Sequence, residues 1–222
     1  MASEVHIPLK ARKAERKTKA VVAPWNATEV GAFVTAMKGD RLYAPLLLSL
    51  MGLRPAEVCG LRWSDIDLDA AMLSIANTRT LMGNRTVVEK DTKSMAGERV
   101  LLVREALKTF RATQAAERLA AGEGYEGAGY VLVDELGAAL NGRQLRVRAY
   151  KIMDENGLRR VRLYDARASC LTFLANNGVP DHLLAMWAGH TNVKTTKKWY
   201  VKPDVAALLP AAEAWGGLAR GV

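Results

Sequence analysis

The sequence predicts a mainly α-helical domain that carries a small antiparallel sheet of three strands, an α+β fold. Helical patterns with recognisable starts and stops fill the first and last parts of the chain. Between them, three short segments partly alternate apolar and polar residues, as the strands of a half-buried sheet do. The chain has 222 residues and is 50% hydrophobic, enough for one domain with a core of its own.

The first helices are marked by their ends. Asn26 followed by Glu29 is a cap and a third-position acid, which together open a helix. A second helix is predicted over Leu42–Met51, and Arg54 with Pro55 opens a third, because a proline in the first turn loses no hydrogen bond. Arg54 is therefore expected at a helix N-terminus, in a tight turn between two packed helices, a place that favours anions.

The strands and the later helices follow in order along the chain. Three strands are predicted, with Gly83-Asn84 as a turn signal between the first two: Met72–Ala76, Arg85–Glu89 and Arg99–Val103. A glycine-rich loop and a short extended piece separate the later helices. These helices are predicted from Glu105 to about Ala121 and over Gly142–Asp154, Tyr164–Asn176, Pro180–Trp187 and Val193–Tyr200, with the extended piece at Tyr130–Val133.

Composition favours a polyanionic partner. The formal net charge is +9, and lysines and arginines that neutralise phosphates release condensed counterions, although an ordinary basic protein has the same balance. Cys59 and Cys170 belong to no C-x-x-C pair, so two buried free thiols are expected rather than a zinc site or a disulfide framework. No signal peptide or membrane-spanning segment is visible, which predicts a cytosolic protein.

Residues suited to phosphodiester chemistry lie far apart in the sequence. Arg54 lies in G-L-R-P-A-E-V and Arg167 in D-A-R-A-S-C-L-T-F-L-A-N-N-G, while A-G-H-T-N-V-K-T-T-K-K-W-Y contains His190 and ends at Tyr200. Arginine binds phosphate oxygens with a planar fork that stays protonated, and a tyrosine can attack phosphorus. The basic setting of Tyr200 is not expected for Tyr43, Tyr125, Tyr130 and Tyr150.

These segments resemble the conserved boxes of the tyrosine recombinases, the phage integrase family. G-L-R-P-A-E-V-C-G-L-R-W-S-D-I-D-L is similar to the first box and the two later segments to the second, and the resemblance runs from about Trp25 to the end. It implies the catalytic-domain fold of that family and a site-specific DNA recombinase, an integrase, that acts through a 3′-phosphotyrosyl intermediate without metal or cofactor. It also implies double-stranded attachment-site DNA as substrate, a tetramer on DNA, an accessory bending or directionality factor, and viral genome integration in the cytoplasm of a bacterial host.

By this resemblance, Arg54 and Arg167 hold the phosphate and Tyr200 attacks it. His190 matches the family's His/Trp position, where it would hydrogen-bond the phosphate or assist proton movement. Each residue also has a simpler interpretation taken alone: a helix-cap arginine for Arg54, a surface salt bridge for Arg167, a helix-capping histidine for His190 and an aromatic core residue for Tyr200.

The remaining roles come from the same resemblance. The leaving 5′ oxygen is protonated by a lysine in the turn between the second and third strands, and within T-K-S-M-A-G-E-R-V-L-L Lys93 fits that pattern best, with Lys90 as the alternative. Glu57 matches an acidic position that holds an active-site side chain in place. Tyr164 stands where the family usually has histidine, three residues before Arg167; it can donate a hydrogen bond to a phosphate oxygen, but a phenol is a poor proton shuttle at neutral pH.

The resemblance divides the chain into three parts. Residues 1–22 are expected to be a flexible basic arm or linker stub, 23–203 the catalytic domain, and 204–222 a tail helix that docks on its own domain or on a neighbouring protomer. The family's separate clamp domain is replaced here by the basic stretch alone, so the chain is either a piece of a longer protein or a naturally short member. Two alternative functions stay open: a weakened or non-catalytic DNA-binding relative, and a type IB topoisomerase-like enzyme.

Overall fold

The computed structural model describes residues 24–82, 86–91, 98–100 and 103–189. Its first helix, α1, spans Ala27–Ala36. Asn26 and Glu29 form the predicted capping box, in which each side chain accepts a hydrogen bond of 2.9 Å from the backbone N–H of the other residue. The predicted basic arm, the Gly83-Asn84 turn and the tail helix lie outside the described residues.

Two short helices build the core beside the candidate site. Helix α2 spans Tyr43–Leu50 and helix α3 spans Pro55–Gly60, close to the predicted bounds. Leu46 and Leu48 in α2 and Leu53 in the turn between the helices are fully buried. Burying a leucine side chain stabilises a fold by roughly 1.5–3 kcal/mol, so this packing fixes the turn as well as the helices.

Five short strands form two separate sheets within the described residues. They are β1 (Ile66–Asp67), β2 (Met72–Ser74), β3 (Asn77–Met82), β4 (Thr86–Asp91) and β5 (Glu98–Val100). Strand β2 lies between β1 and β5 in an antiparallel sheet of three strands, while β3 and β4 form an antiparallel hairpin of their own.

The strand pairing differs from the prediction, although a mainly helical fold with a three-stranded antiparallel sheet is confirmed. The strand predicted over Arg85–Glu89 pairs with Asn77–Met82 and does not join Met72–Ala76. Strand β3 begins with the polar run Asn-Thr-Arg-Thr, so no apolar alternation marks it in the sequence. The place of the missing strand in the three-stranded sheet is taken by Ile66–Asp67.

Helix α3 and strand β3 are in direct contact at Gly60. A Cβ atom placed on Gly60 would lie 2.7 Å from the carbonyl oxygen of Asn77 and 2.9 Å from the backbone nitrogen of Arg79. Such distances are too short for a real Cβ atom, so the absence of a side chain is what lets the hairpin reach the helix here.

The two cysteines differ in their surroundings, and neither forms a disulfide. Cys59 is buried, as predicted, and burial raises the pKa of its thiol from 9.0 to about 11. Cys170 is only partly buried, so the expectation of two buried thiols is wrong for this residue. Cys170 lines a surface pocket beside α1, which leaves part of its side chain exposed.

A long helix, α4, spans Arg104–Ala121 and is tied by Arg41 to the loop that follows it. The guanidinium of Arg41 donates to the Glu117 carboxylate at 2.6 and 2.7 Å and to the carbonyl oxygens of Val133 and Asp134 at 2.7 and 2.8 Å. Only the planar fork of arginine reaches acceptors in this arrangement. The loop therefore has a fixed path across the domain.

The C-terminal half of the described chain is helical. Helix α5 spans Gly142–Glu155, α6 spans Leu163–Asn176 and α7 spans Asp181–Ala188, each within about one residue of the predicted bounds. Helices α6 and α7 pack through Leu171 and Leu184, both fully buried. None of the helices in the described ranges combines the length and the apolar composition that crossing a bilayer requires.

Candidate active site

The turn between α2 and α3 presents Arg54. Gly52 has a φ of +96° in this turn, a conformation that glycine adopts at no steric cost. Arg54 is the N-cap residue of α3 and Pro55 follows in the first turn, as predicted. The Arg54 side chain is 38% exposed. The helix-cap interpretation is therefore correct, and it leaves the guanidinium accessible to a ligand.

Glu57 orients this arginine. One of its carboxylate oxygens accepts from the backbone N–H of Arg54 at 2.7 Å, and the other accepts from the guanidinium Nη1 at 2.5 Å. The Glu57 side chain is only 5% exposed, so the pair is shielded from solvent on the carboxylate side. These contacts hold the Arg54 side chain in place; the supporting role of Glu57 in an active site stays a prediction.

Arg167 lies inside the protein, with 1% of its surface exposed. Its Nη1 donates to the carbonyl oxygen of Gly52, and its Nη2 donates to the carbonyl oxygen of Ala188 at 2.5 Å. A buried charge must be hydrogen-bonded, because leaving it unpaired is very unfavourable. The interpretation of Arg167 as part of a surface salt bridge is wrong.

The two carbonyl groups that bind Arg167 belong to two of the motif segments. Gly52 begins the stretch that leads to Arg54, and Ala188 ends α7 two residues before His190. The hydrogen bonds span 115 and 21 residues of sequence. One side chain on α6 thus connects the Arg54 turn to the helix end that precedes His190, and the three segments meet in space.

Trp187 completes this arrangement, and the sequence analysis did not identify it. Its indole Nε1 donates to the carbonyl oxygen of Met51 at 2.8 Å. The ring also packs on Gly52, where an added Cβ would lie 3.5 Å from Nε1. The Met51–Gly52 turn is therefore held from the C-terminal half by two donors, Trp187 and Arg167. A tryptophan within an apolar helix usually signals core packing, so the sequence offered no sign of this hydrogen bond.

The start of α6 is fixed by polar contacts. The Asp165 carboxylate, 7% exposed as a residue, accepts from the Arg162 guanidinium at 2.6 and 3.0 Å. The Ser169 hydroxyl donates to the carbonyl oxygen of Asp165 at 3.1 Å and accepts from the backbone N–H of Trp25 at 2.7 Å. The helix that carries Arg167 is thereby anchored to the beginning of the domain.

Tyr164 lies in the first turn of α6, three residues before Arg167, and is 57% exposed. No described residue forms a hydrogen bond with its hydroxyl group. A ligand bound at this surface would meet a phenol that is available to donate. The expectation that Tyr164 hydrogen-bonds a phosphate oxygen stays a prediction.

Of the remaining predicted site residues, only Lys90 lies within the described part of the chain. Lys90 lies in β4, where its backbone is paired opposite Thr78. Lys93, His190 and Tyr200 lie outside the described residues, and their roles stay predictions. Within the described ranges, no three His, Cys, Asp or Glu side chains group as metal ligands.

Two tyrosines that were not expected to have basic neighbours have them. The guanidinium carbons of Arg62 and Arg79 lie 4.7 and 5.4 Å from the ring centroid of Tyr130, and that of Arg160 lies 5.4 Å from the ring of Tyr150. These contacts correct the expectation. Tyr130 is nevertheless buried, and its hydroxyl accepts from Arg62 at 3.0 Å, so it is engaged within the protein.

Comparison with known proteins identifies the class of this chain. Residues 26–206 match the model of the phage integrase family. The match covers well over half of the 222 residues. The chain therefore belongs to the phage integrase family, as the resemblance of its motifs indicated.

Individual relatives agree with this assignment. A protein described as a tyrosine recombinase XerC-like, from Caldanaerobacter subterraneus subsp. tengcongensis, is 29% identical over 202 residues, which is 84% of this chain and 52% of the relative. The chain thus spans about half the length of the curated relative that it matches.

Solved structures show the fold. The Tn1549 transposon integrase in complex with transposon right end DNA is similar at a TM-score of 0.71 and 17% identity, over 90% of this chain and 67% of that one. The XerA recombinase is similar at a TM-score of 0.62 and 18% identity, over 95% of this chain and 70% of that one. The tyrosine recombinase catalytic-domain fold is confirmed.

Proposed function

We propose that this chain is the catalytic part of a site-specific DNA recombinase, an integrase, which cuts and rejoins double-stranded DNA through a bond between Tyr200 and a 3′ phosphate. Membership of the phage integrase family supports the proposal. The observation that carries it is the pair of hydrogen bonds from Arg167 to the Arg54 turn and to the end of α7. They bring together the Arg54 turn, the helix that carries Arg167 and the helix end that precedes His190.

The reaction uses side chains alone. The Tyr200 oxygen attacks phosphorus while the bond from phosphorus to the 5′ oxygen breaks, and the phenolic proton passes to solvent or to a nearby basic group. The ammonium group of Lys93, or of Lys90, gives a proton to the 5′ oxygen, which leaves as a hydroxyl. Rejoining is the reverse reaction, and the phosphotyrosine bond conserves the energy of the broken one.

Arg54 and Arg167 have different parts in this proposal. Negative charge develops on the non-bridging oxygens in the transition state, and fixed cations stabilise it. Arg54, partly exposed and oriented by Glu57, makes the direct contact with the phosphate. Arg167, buried and hydrogen-bonded to the backbone, keeps the surrounding segments in register and adds positive charge in a region of low dielectric. His190 and Tyr164 hydrogen-bond the same phosphate.

The proposal extends to partners and to the ends of the chain. The net charge of +9 and the DNA complex of the Tn1549 integrase favour DNA as the partner; in this proposal it is double-stranded attachment-site DNA, in the cytoplasm of a bacterial host. Residues 23–203 are the catalytic unit, the basic stretch 1–22 adds phosphate contacts, and residues 204–222 dock on a protomer within a tetramer. An accessory bending or directionality factor completes the assembly.

A covalent trapping experiment tests this function. The probe is a set of duplexes with a nick near the cleavage position and random sequence around it, so that the short fragment diffuses away after cleavage. We expect a covalent protein–DNA band on a denaturing gel, absent for Tyr200→Phe and retained for the matched control Tyr125→Phe. Sequencing of the trapped DNA defines the target.

Three outcomes would overturn parts of the proposal. Trapping that survives Tyr200→Phe would remove Tyr200 from its role. DNA retention on a filter without any covalent product would favour a non-cleaving relative, the function that Tyr164 at the usual histidine position suggests. Relaxation of a supercoiled plasmid that lacks the selected target would favour a type IB topoisomerase-like enzyme.

A further inference from the structure

A cluster of four side chains lies where the β3–β4 hairpin meets the rest of the domain: Arg62, Arg79, Glu89 and Tyr130. The hydroxyl of Tyr130 donates to the Glu89 carboxylate and accepts from Arg62 Nη2 at 3.0 Å. Glu89 also pairs with Arg62 at 3.5 Å and with Arg79 at 3.7 Å. Both guanidinium groups lie over the Tyr130 ring. Arg79 and Glu89 belong to the hairpin, while Arg62 and Tyr130 belong to the rest of the domain, called the body below. The cluster therefore joins the hairpin to the body.

The β3–β4 hairpin needs side-chain contacts with the body to stay in place. Within the described residues it is separate from the three-stranded sheet, so no ladder of backbone hydrogen bonds joins the two. A two-stranded hairpin alone is only marginally stable in water. Its close approach to α3 at Gly60 fixes one side of β3, and the cluster holds β4.

Each strand of the hairpin is tied to the body by one member of the cluster. Arg79, in β3, donates to the carbonyl oxygens of Ala139 and Leu140 at 3.3 and 3.1 Å. Glu89, directly opposite Arg79 in the register of the hairpin, contacts Tyr130 from the other strand. The two anchors therefore act at the same level of the hairpin and prevent it from sliding or rotating.

The chemistry of Tyr130 suits an anchor. Burial, followed by the hydrogen bond to Glu89, raises the pKa of its hydroxyl. The hydroxyl consequently stays protonated and continues to donate to the carboxylate. The two arginines also pair with Glu89, so both partners of the contact between body and strand have further support.

Strand β4 carries one of the two candidate proton donors, Lys90, and leads in the sequence to the other, Lys93. Glu89 is followed directly by Lys90, β4 ends at Asp91, and Lys93 comes two residues later in the sequence. We propose that Glu89 and Tyr130 are positioning residues, which hold β4 so that Lys90 within the strand, or Lys93 just after it in the sequence, can give a proton to the leaving 5′ oxygen. This inference rests on the proposed recombinase function and assigns the cluster to one step of it, proton transfer to the leaving group.

The test uses two forms of the nicked duplex selected by trapping. One has the natural 5′ oxygen at the cleaved bond, and the other has sulfur in its place. A thiolate leaves without being protonated, because a thiol is far more acidic than an alcohol. A defect confined to proton donation therefore appears with the oxygen duplex and disappears with the sulfur duplex.

For Glu89→Gln and Tyr130→Phe in the full chain, we expect single-turnover cleavage of the oxygen duplex to slow by about 10- to 100-fold. Cleavage of the sulfur duplex should stay close to that of the unmutated chain. The matched controls Glu105→Gln and Tyr125→Phe should cleave both duplexes normally. Lys93→Ala and Lys90→Ala show which lysine has the same oxygen-selective defect.

The ratio of the two rates separates a positioning role from a structural one. A variant that is partly unfolded loses the same fraction of activity on both duplexes, so its ratio does not change. Equal losses on oxygen and sulfur DNA, or no loss on either, would overturn the inference while leaving the recombinase function intact. Failure of the unmutated chain to form a covalent complex on either duplex would overturn the proposed function itself, and this inference with it.

Discussion

Replacing Gly60 with alanine perturbs the contact between α3 and β3 by a single methyl group. The new Cβ would lie 2.7 and 2.9 Å from backbone atoms of Asn77 and Arg79, which cannot move away as the end of a flexible side chain can. Overfilling a packed site costs roughly 1–3 kcal/mol, and alanine in a helix recovers about 0.5–1 kcal/mol. The net effect is a fall in the free energy of unfolding of up to about 2.5 kcal/mol, and a fall in Tm of up to roughly 10 °C.

Gly31→Ala is the matched control. Gly31 lies within α1, and a Cβ placed there would have no neighbour within 4 Å. Only the helix propensity then changes, so we expect the Tm to rise by roughly 1–4 °C. The two variants make the same chemical change in a helix and should shift thermal unfolding, followed by circular dichroism, in opposite directions. A rise for Gly60→Ala equal to that for Gly31→Ala would refute the steric argument.

Three further predictions concern Arg167, Cys59 and Tyr164. Arg167→Met leaves two buried carbonyl oxygens without their donor, at roughly 1–3 kcal/mol each, so we expect the Tm to fall by about 4–24 °C; an unchanged melting curve would contradict this. Because burial raises the pKa of Cys59 from 9.0 to about 11, its thiolate fraction at pH 8 falls about a hundredfold. In a Cys170→Ser variant, the folded chain should therefore react with a disulfide reagent far more slowly than the unfolded chain, and equal rates would show an accessible thiol. On the proposed function, Tyr164→His should speed covalent trapping at pH 7 with little change in stability, since the side chain is 57% exposed; slower trapping would show that the phenol itself is required.

Local signals in the sequence predicted the helices that position the site. The capping box of Asn26 and Glu29 and the Arg54-Pro55 start of α3 appear in the structure as expected. Such signals are reliable because both partners lie within four residues of each other, and their geometry is set by the helix itself. The placement of Arg54 could therefore be derived before any tertiary contact was known.

Contacts between distant residues could not be derived in the same way. Glu89 and Tyr130 are 41 residues apart, and Trp187 and Met51 are 136 apart. Nothing in the neighbourhood of either partner specifies the other. The pairing of β3 with β4 was missed for a related reason, because a polar strand shows no apolar alternation and its partner depends on which segment lies nearby.

Arg167 shows the limit of motif reasoning most clearly. Taken alone, its simpler interpretation was a surface salt bridge, yet it is buried and hydrogen-bonded to the backbone carbonyls of Gly52 and Ala188. Every residue carries a carbonyl group, so no sequence pattern marks which ones accept from a distant arginine. The burial of Arg167 follows from the packing of α6 against the rest of the domain, which no local pattern specifies.

The hydrogen bonds from Trp187 and Arg167 to the Met51–Gly52 turn also bear on synthesis of the protein. Residues near position 50 leave the ribosome long before Arg167 and Trp187 do, and closing so long a stretch of chain is slow. A nascent or proteolysed polypeptide that ends before Trp187 would carry Arg54 without the two donors that shape its turn. The proposed activity on a phosphate would thus be acquired only after the segment through Trp187 has been synthesised.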